Sequence, residues 1–197
     1  AKEKTKFFLR RIFLHKFYLN LAVWTVFFNQ IAYSVFNWYL PVHVLKEIGA
    51  NKVFYGILMV SCGFAFIISS RIMMGCKAFF DKNLFYTLII AIVVNGIALY
   101  AGLSAKSYVG TLVFIVIASA ASMVSIILLK TLVLNNSAGS GAAAASSYNG
   151  VESVGTTLGF LGCAFFGPIF SSSVMLKLML FILLICLLIG SILYVNF

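Results

Sequence analysis

Charge is scarce in this chain, and acidic charge most of all. Of 197 residues 9% are charged, and the acids are four: Glu3, Glu47, Asp81 and Glu152. Soluble domains carry about 25% charged residues. With 63% hydrophobic residues, no soluble fold of this length hides its apolar surface from water. Histidine stops at His43, which argues against an intramembrane serine protease that takes its base from a late helix. There is no GxxxxGK(S/T) run for an ATP-driven motor and no TVGYG-like loop for a potassium filter. A metal pathway needs His, Asp and Glu gathered at mid-membrane, where only Glu152 stands. The four cysteines, Cys62, Cys76, Cys163 and Cys186, form no CxxC pair, so neither a disulfide nor a metal site is expected. No catalytic set and no cofactor are expected either.

What the chain has is long apolar runs. A bilayer-spanning helix needs about 20 mainly apolar residues, and six stretches qualify: Phe17–Val42, Val53–Ile72, Leu84–Leu103, Tyr108–Leu134, Ala142–Phe170 and Val174–Val195. The expected fold is an all-α membrane protein of six transmembrane helices, with lipid as its main partner. The gaps, such as Lys46 to Lys52, Lys77 to Asn83 and Asn135 to Gly141, hold the charges and turn formers and leave no room for a soluble domain. Residues 1–16 read as a basic cytoplasmic linker and 17–197 as the bundle. The opening Ala1-Lys2-Glu3-Lys4 is neither a native start nor a signal peptide, so a longer polypeptide is expected upstream.

The 14 basic residues set an orientation rather than a nucleic-acid surface. Ten fall on one side: Lys2, Lys4, Lys6, Arg10, Arg11, Lys16, Arg71, Lys77, Lys82 and Lys130. Four, Lys46, Lys52, Lys106 and Lys177, fall on the other. The positive-inside rule then places both termini in the cytoplasm of a multi-pass protein, with a cytoplasmic (inner) membrane as the expected location.

Polar groups within apolar spans are costly, which makes them the first places to look for function. Glu152 is the one acid inside a predicted span. A carboxyl in mid-membrane suits proton coupling, although hydration near the cytoplasmic mouth or pairing with Lys130 would also account for it. Tyr148, Glu152, Gly155, Gly159 and Gly162 share one helical face, and Gly155 to Gly159 is a GxxxG, the spacing that admits a close neighbouring helix. In the first span Phe27, Gln30, Ser34, Asn37 and Pro41 make one stripe. It suits either a wet cavity for amphipathic molecules or interhelical hydrogen bonding. Asn20, Asn29 and Tyr33 add further polar groups, and Trp38 and Tyr39 suit an interfacial belt. Asn95-Gly96 marks a kink or polar contact, and His15 and His43 fall at the ends of the first span, as interfacial residues do.

Three passages resemble the C-terminal half of a major facilitator superfamily transporter. Asn37-Trp38-Tyr39-Leu40-Pro41 with the Lys46-to-Ala50 loop resembles the family's seventh helix and its outer loop. Phe54-Tyr55-Gly56-Ile57 through Arg71 resembles the eighth, and Asn136 through Tyr148-Asn149 to Gly167-Pro168 resembles the tenth-to-eleventh connection and the eleventh helix. The family loop signature GxxxDRxGRR is degenerate here, from Ser69-Ser70-Arg71 to Asp81-Lys82. The aromatic first helix is most similar to the drug/proton antiporter branch, whose coupling carboxylates usually lie in the N-terminal half.

That resemblance implies two six-helix bundles, the second supplied by an N-terminal half, rocking about a central cavity. It implies a small organic substrate, proton-coupled efflux, substrate-facing Gln30, Asn37 and Ser122, and Glu152 with the glycines near the boundary between halves. Phe27 and Ser34 join the substrate set from the stripe itself. A six-span scaffold or assembly subunit that transports nothing is the other reading the sequence leaves open.

Overall fold

Helix follows helix along the chain, and among the described residues no strand interrupts them. The structure, a computed structural model, describes residues 23–135, 141–167, 169 and 172–195. The basic opening segment, the start of the first predicted span with Asn20, residues 136–140, Pro168 and Phe170 lie outside the described residues.

Helix α1 covers 23–42 and widens into a π-helical turn at His43–Glu47. Pro41 has no N–H to give the turn before it, and the widening begins two residues later, where the Ile48 N–H reaches back to the His43 carbonyl at 3.0 Å. Gly49, at φ 71°, then reverses the chain in a conformation that costs any other residue more. Asn51 opens α2 (Lys52–Gly75) by accepting from the Phe54 N–H at 2.8 Å, a side-chain N-cap.

The short α3 (Lys77–Lys82) fills a stretch expected as a plain gap. Asn83 ends it by donating to the Phe79 carbonyl at 3.0 Å. Then come α4 (Leu84–Ser104), α5 (Tyr108–Asn135), α6 (Gly141–Phe166) and α7 (Ser172–Val195). The six predicted spans are therefore helical where they are described, except at Gly167 and Ile169, which form a turn beyond the end of α6.

Three of these helices, α2, α4 and α5, are long and apolar enough to cross a membrane. Their most apolar windows have mean hydropathies of 2.0, 2.2 and 2.8. Within α7, Lys177–Ile189 is a shorter apolar helix. Val53, Ile57, Val60, Phe64, Ile67 and Ile72 of α2 are all exposed. A run of that size is unlike the surface of a soluble monomer and compatible with lipid as solvent.

Two apolar clusters hold the bundle, one toward each end. Val35, Leu40 and Val44 of α1 pack with Leu58 of α2, Leu99 and Leu103 of α4, Ile115 of α5 and Leu183 of α7. At the opposite end Val26 of α1 joins Met73 of α2, Leu88 and Ile92 of α4, Leu128 and Leu132 of α5, Tyr148 of α6 and Cys186 of α7. Buried side chains cover most of the circumference of α1, which packs in both clusters, while Trp24, Phe27, Ile31 and Trp38 leave one side partly exposed.

Candidate functional site

Polar side chains collect in the layer between the two clusters. Along α1 the order is Val26, then Asn29 and Gln30, then Ala32; along α4 it is Ile92, Asn95, Ala98; along α5 it is Ala118, then Ser119, Ser122 and Ser125, then Leu128. In α6 the same interval between Tyr148 and Cys163 holds Glu152, Gly155, Thr156 and Gly159. Four helices thus place polar or small residues at one depth, near the middle of each. Apolar residues close the bundle above and below.

One side of this layer joins α1 to α6. Gln30 Nε2 donates to Glu152 Oε1 at 3.0 Å. The Ser34 hydroxyl lies 2.9 Å from the Gln30 carbonyl on its own helix and 3.1 Å from the Thr156 carbonyl across the interface. Thr156 Oγ1 returns to the Glu152 carbonyl at 2.8 Å. The GxxxG explains how the backbones come this close. A Cβ on Gly155 would stand 2.8 Å from the Phe27 carbonyl oxygen, and one on Gly159 would stand 2.6 Å from Ser34 Cβ. Gly162, on the same predicted face, has nothing within 4 Å and takes no part in the contact.

Of the two readings of the α1 stripe, Gln30 and Ser34 therefore meet the interhelical one. Phe27 packs edge-on to Trp24 and Phe28, with centroids 5.5 and 5.4 Å away, and Asn37 is half-buried. Lys130 does not serve as the bonding partner of Glu152. Its Nζ lies 5.6 Å from the centre of the buried Tyr148 ring, a cation–π distance.

The other side of the layer opens into a small cleft of about 20 Å³, room for about one water molecule in this conformation. Asn29, Ala32, Tyr33 and Phe36 of α1 line it, with Asn95 and Leu99 of α4, Ala118, Ser119 and Ser122 of α5, and Leu183 of α7. Ser122 is the member of the expected substrate set that lies here; Phe27, Gln30, Ser34 and Asn37 are elsewhere on α1. None of the lining residues is an acid, a base or a histidine. The walls offer two carboxamides, two serine hydroxyls, a phenol and a phenyl ring, groups that bind by hydrogen bonding and ring contact. Ser119 Oγ donates to the Ile115 carbonyl at 2.9 Å and lies within hydrogen-bonding reach of the Cys62 thiol. Asn29, Tyr33 and Asn95 stand out in the sequence as polar residues within spans, and Ser119 does not. Their common mid-helix depth is the signal that joins all four.

A third polar group lies where α1 becomes the π-helical turn. Tyr39 Oη lies 2.9 and 2.7 Å from the two carboxylate oxygens of Glu47, and His43 Nδ1 lies 2.7 Å from Glu47 Oε2. His43, expected as an interfacial residue, is 4% exposed. Among the described residues no cluster of three or more His, Cys, Asp and Glu side chains could hold a metal ion, and the four cysteines are free.

No family model, curated protein or solved structure matches the chain. The functional reading therefore rests on the arrangement of these groups and on the motifs in the sequence.

Proposed function

We propose that the chain is a six-span integral membrane protein, the C-terminal half of a major-facilitator-type secondary transporter. It moves a small organic molecule by proton-coupled alternating access and performs no chemistry on it. An N-terminal six-helix half completes the transporter, and both chain termini face the cytoplasm of an inner membrane.

The observation that carries this reading is the polar layer with its cleft, midway along helices that are otherwise apolar and capped by an apolar cluster at each end. Transporter sites of this type lie near the bilayer midplane, and polar groups retained at that depth mark a pathway. Asn29, Tyr33, Asn95 and Ser122 contact the substrate. Glu152 carries the coupling proton. Gln30 reports its charge to α1, because a carboxylate accepts from the amide more strongly than a protonated carboxyl does.

The deciding experiment is transport in proteoliposomes by the full-length parent protein under an imposed proton gradient, with Glu152→Gln beside wild type. Gradient-driven uptake that disappears in Glu152→Gln supports coupling through this residue. Uptake that survives assigns coupling to the other half. If no gradient moves any substrate tried, the scaffold reading takes the place of the transporter.

A further inference from the structure

Tyr39, His43 and Glu47 stand four residues apart on one face of the end of α1. Their polar atoms converge on a single carboxylate, with contacts of 2.7 to 2.9 Å. A carboxylate accepts and does not donate, so His43 Nδ1 carries the hydrogen in its 2.7 Å contact with Glu47. That leaves the other ring nitrogen, Nε2, as a bare lone pair. It is fully buried and has no hydrogen-bond partner. Buried polar nitrogen is rarely left this way without a reason. A histidine held by a carboxylate at one nitrogen and bare at the other is the arrangement that takes up and gives up protons in enzymes and relays.

We propose that His43 Nε2 is a proton-binding site, separate from Glu152 and about 20 Å further along α1 at 1.5 Å per residue. A proton from water adds to the Nε2 lone pair, and the ring becomes an imidazolium. The Glu47 carboxylate compensates its charge through Nδ1–H, and Tyr39 holds the carboxylate in place. Release returns the same proton to water from the same lone pair. Since Nε2 is shut into the core here, uptake is tied to a conformation in which this end of the bundle admits water or an acceptor.

The other titratable residues brought to this end are Lys46 beside the cluster, Lys52 and Tyr55 of α2, Lys106 between α4 and α5, Tyr108 of α5 and Lys177 of α7. Tyr55 packs on the surrounding apolar core, and the Tyr108 hydroxyl reaches the Gly49 carbonyl at 3.4 Å. Lys46, Lys52, Lys106 and Lys177 are exposed and their charge opposes an imidazolium, so Glu47 is the group that favours the protonated ring. The proposal does not need the chain to be a transporter. In that reading it adds a second proton station on the helix that holds Gln30.

The test is nitrogen NMR of the whole chain in lipid nanodiscs, labelled at histidine, with His15→Gln leaving His43 as the single histidine. At about pH 9 the ring is expected as the Nδ1–H tautomer, with the signal of an unprotonated Nε2. That signal is lost as the sample is taken toward about pH 5 and imidazolium forms. In Glu47→Gln the loss moves to lower pH, because the compensating charge is gone. An Nε2–H tautomer at high pH overturns the proposal, as does a ring that stays neutral to pH 5 in folded protein. An unchanged titration in Glu47→Gln overturns the role given to the carboxylate. None of these readings depends on transport, so they stand apart from the proteoliposome result.

Discussion

Gln30 and Glu152 are 122 positions apart in the chain, and a 3.0 Å hydrogen bond between their side chains ties α1 to α6. Gln30 is 3% exposed, so its amide has little access to water as a substitute partner. The pair therefore serves stability as well as any coupling role, and the two can be separated by choice of variant.

Glu152→Ala removes the acceptor and leaves a buried amide unpaired, at a cost of about 1–3 kcal/mol. Glu152→Gln keeps an acceptor oxygen in place and should hold stability to within about 1 kcal/mol of wild type. Thermal unfolding in detergent reads both. Equal losses in the two variants would mean that the charge, and not the hydrogen bond, secures the interface.

The glycine contact makes a graded expectation. Gly155→Ala and Gly159→Ala each place a methyl group against α1 and should cost about 1–3 kcal/mol. Gly162→Ala, with open space around it, should be neutral or slightly stabilising, because alanine favours the helix by up to about 1 kcal/mol. The same unfolding measurement on three single variants checks the order. Three equal values would place the α1–α6 approach somewhere other than the GxxxG.

Enlarging Ser122, which is buried beside a cleft of about 20 Å³, fills the cleft at an overpacking cost of about 1–3 kcal/mol, so ligand effects are read against the variant's own unliganded melting temperature. Ser122→Phe is expected to abolish the thermal stabilisation given by a transported substrate, which is about 2.7 kcal/mol at a hundred times its Kd. Thr157→Val is the control, since that hydroxyl is exposed and already bonded to the Ser153 carbonyl at 2.8 Å. Retained ligand stabilisation in Ser122→Phe would move the substrate away from this cleft.

Cys76 is exposed at the junction of α2 and α3, while Cys62, Cys163 and Cys186 are buried. A membrane-impermeant maleimide should therefore modify one cysteine in the folded protein and more after denaturation, as counted by mass. In sealed vesicles of known sidedness, labelling of Cys76 from the cytoplasmic face alone agrees with the orientation drawn from the basic residues. Labelling from the opposite face alone reverses it.

Helix positions were legible in the sequence because apolar run length is a one-dimensional signal. The predicted Val53–Ile72, Leu84–Leu103 and Tyr108–Leu134 fall within three residues of the ends of α2, α4 and α5. The α6 face was legible too, since Glu152, Gly155 and Gly159 share it by helical period alone. Which side of α1 met which neighbour was not. Its polar residues cover about half of the helix circumference, and a stripe through Gln30 and Ser34 has no mark to tell a cleft from a close-packed helix. The pairing of Asn29 and Tyr33 with Asn95 and Ser119 depends on how α4 and α5 dock, a three-dimensional fact. The π-helical turn was hidden for a different reason. Pro41 announces a disturbance but not its form, so His43 gave no sign of being folded inward.

The polar layer also shapes how the bundle can move. Its two apolar ends share few side chains, and the layer between them is bridged by hydrogen bonds, which re-form in new partnerships more readily than a packed core can be re-cut. Such a molecule has a grip at each end and a fulcrum in the middle. Because the clusters are separate, loosening the packing at one end need not disturb the packing at the other.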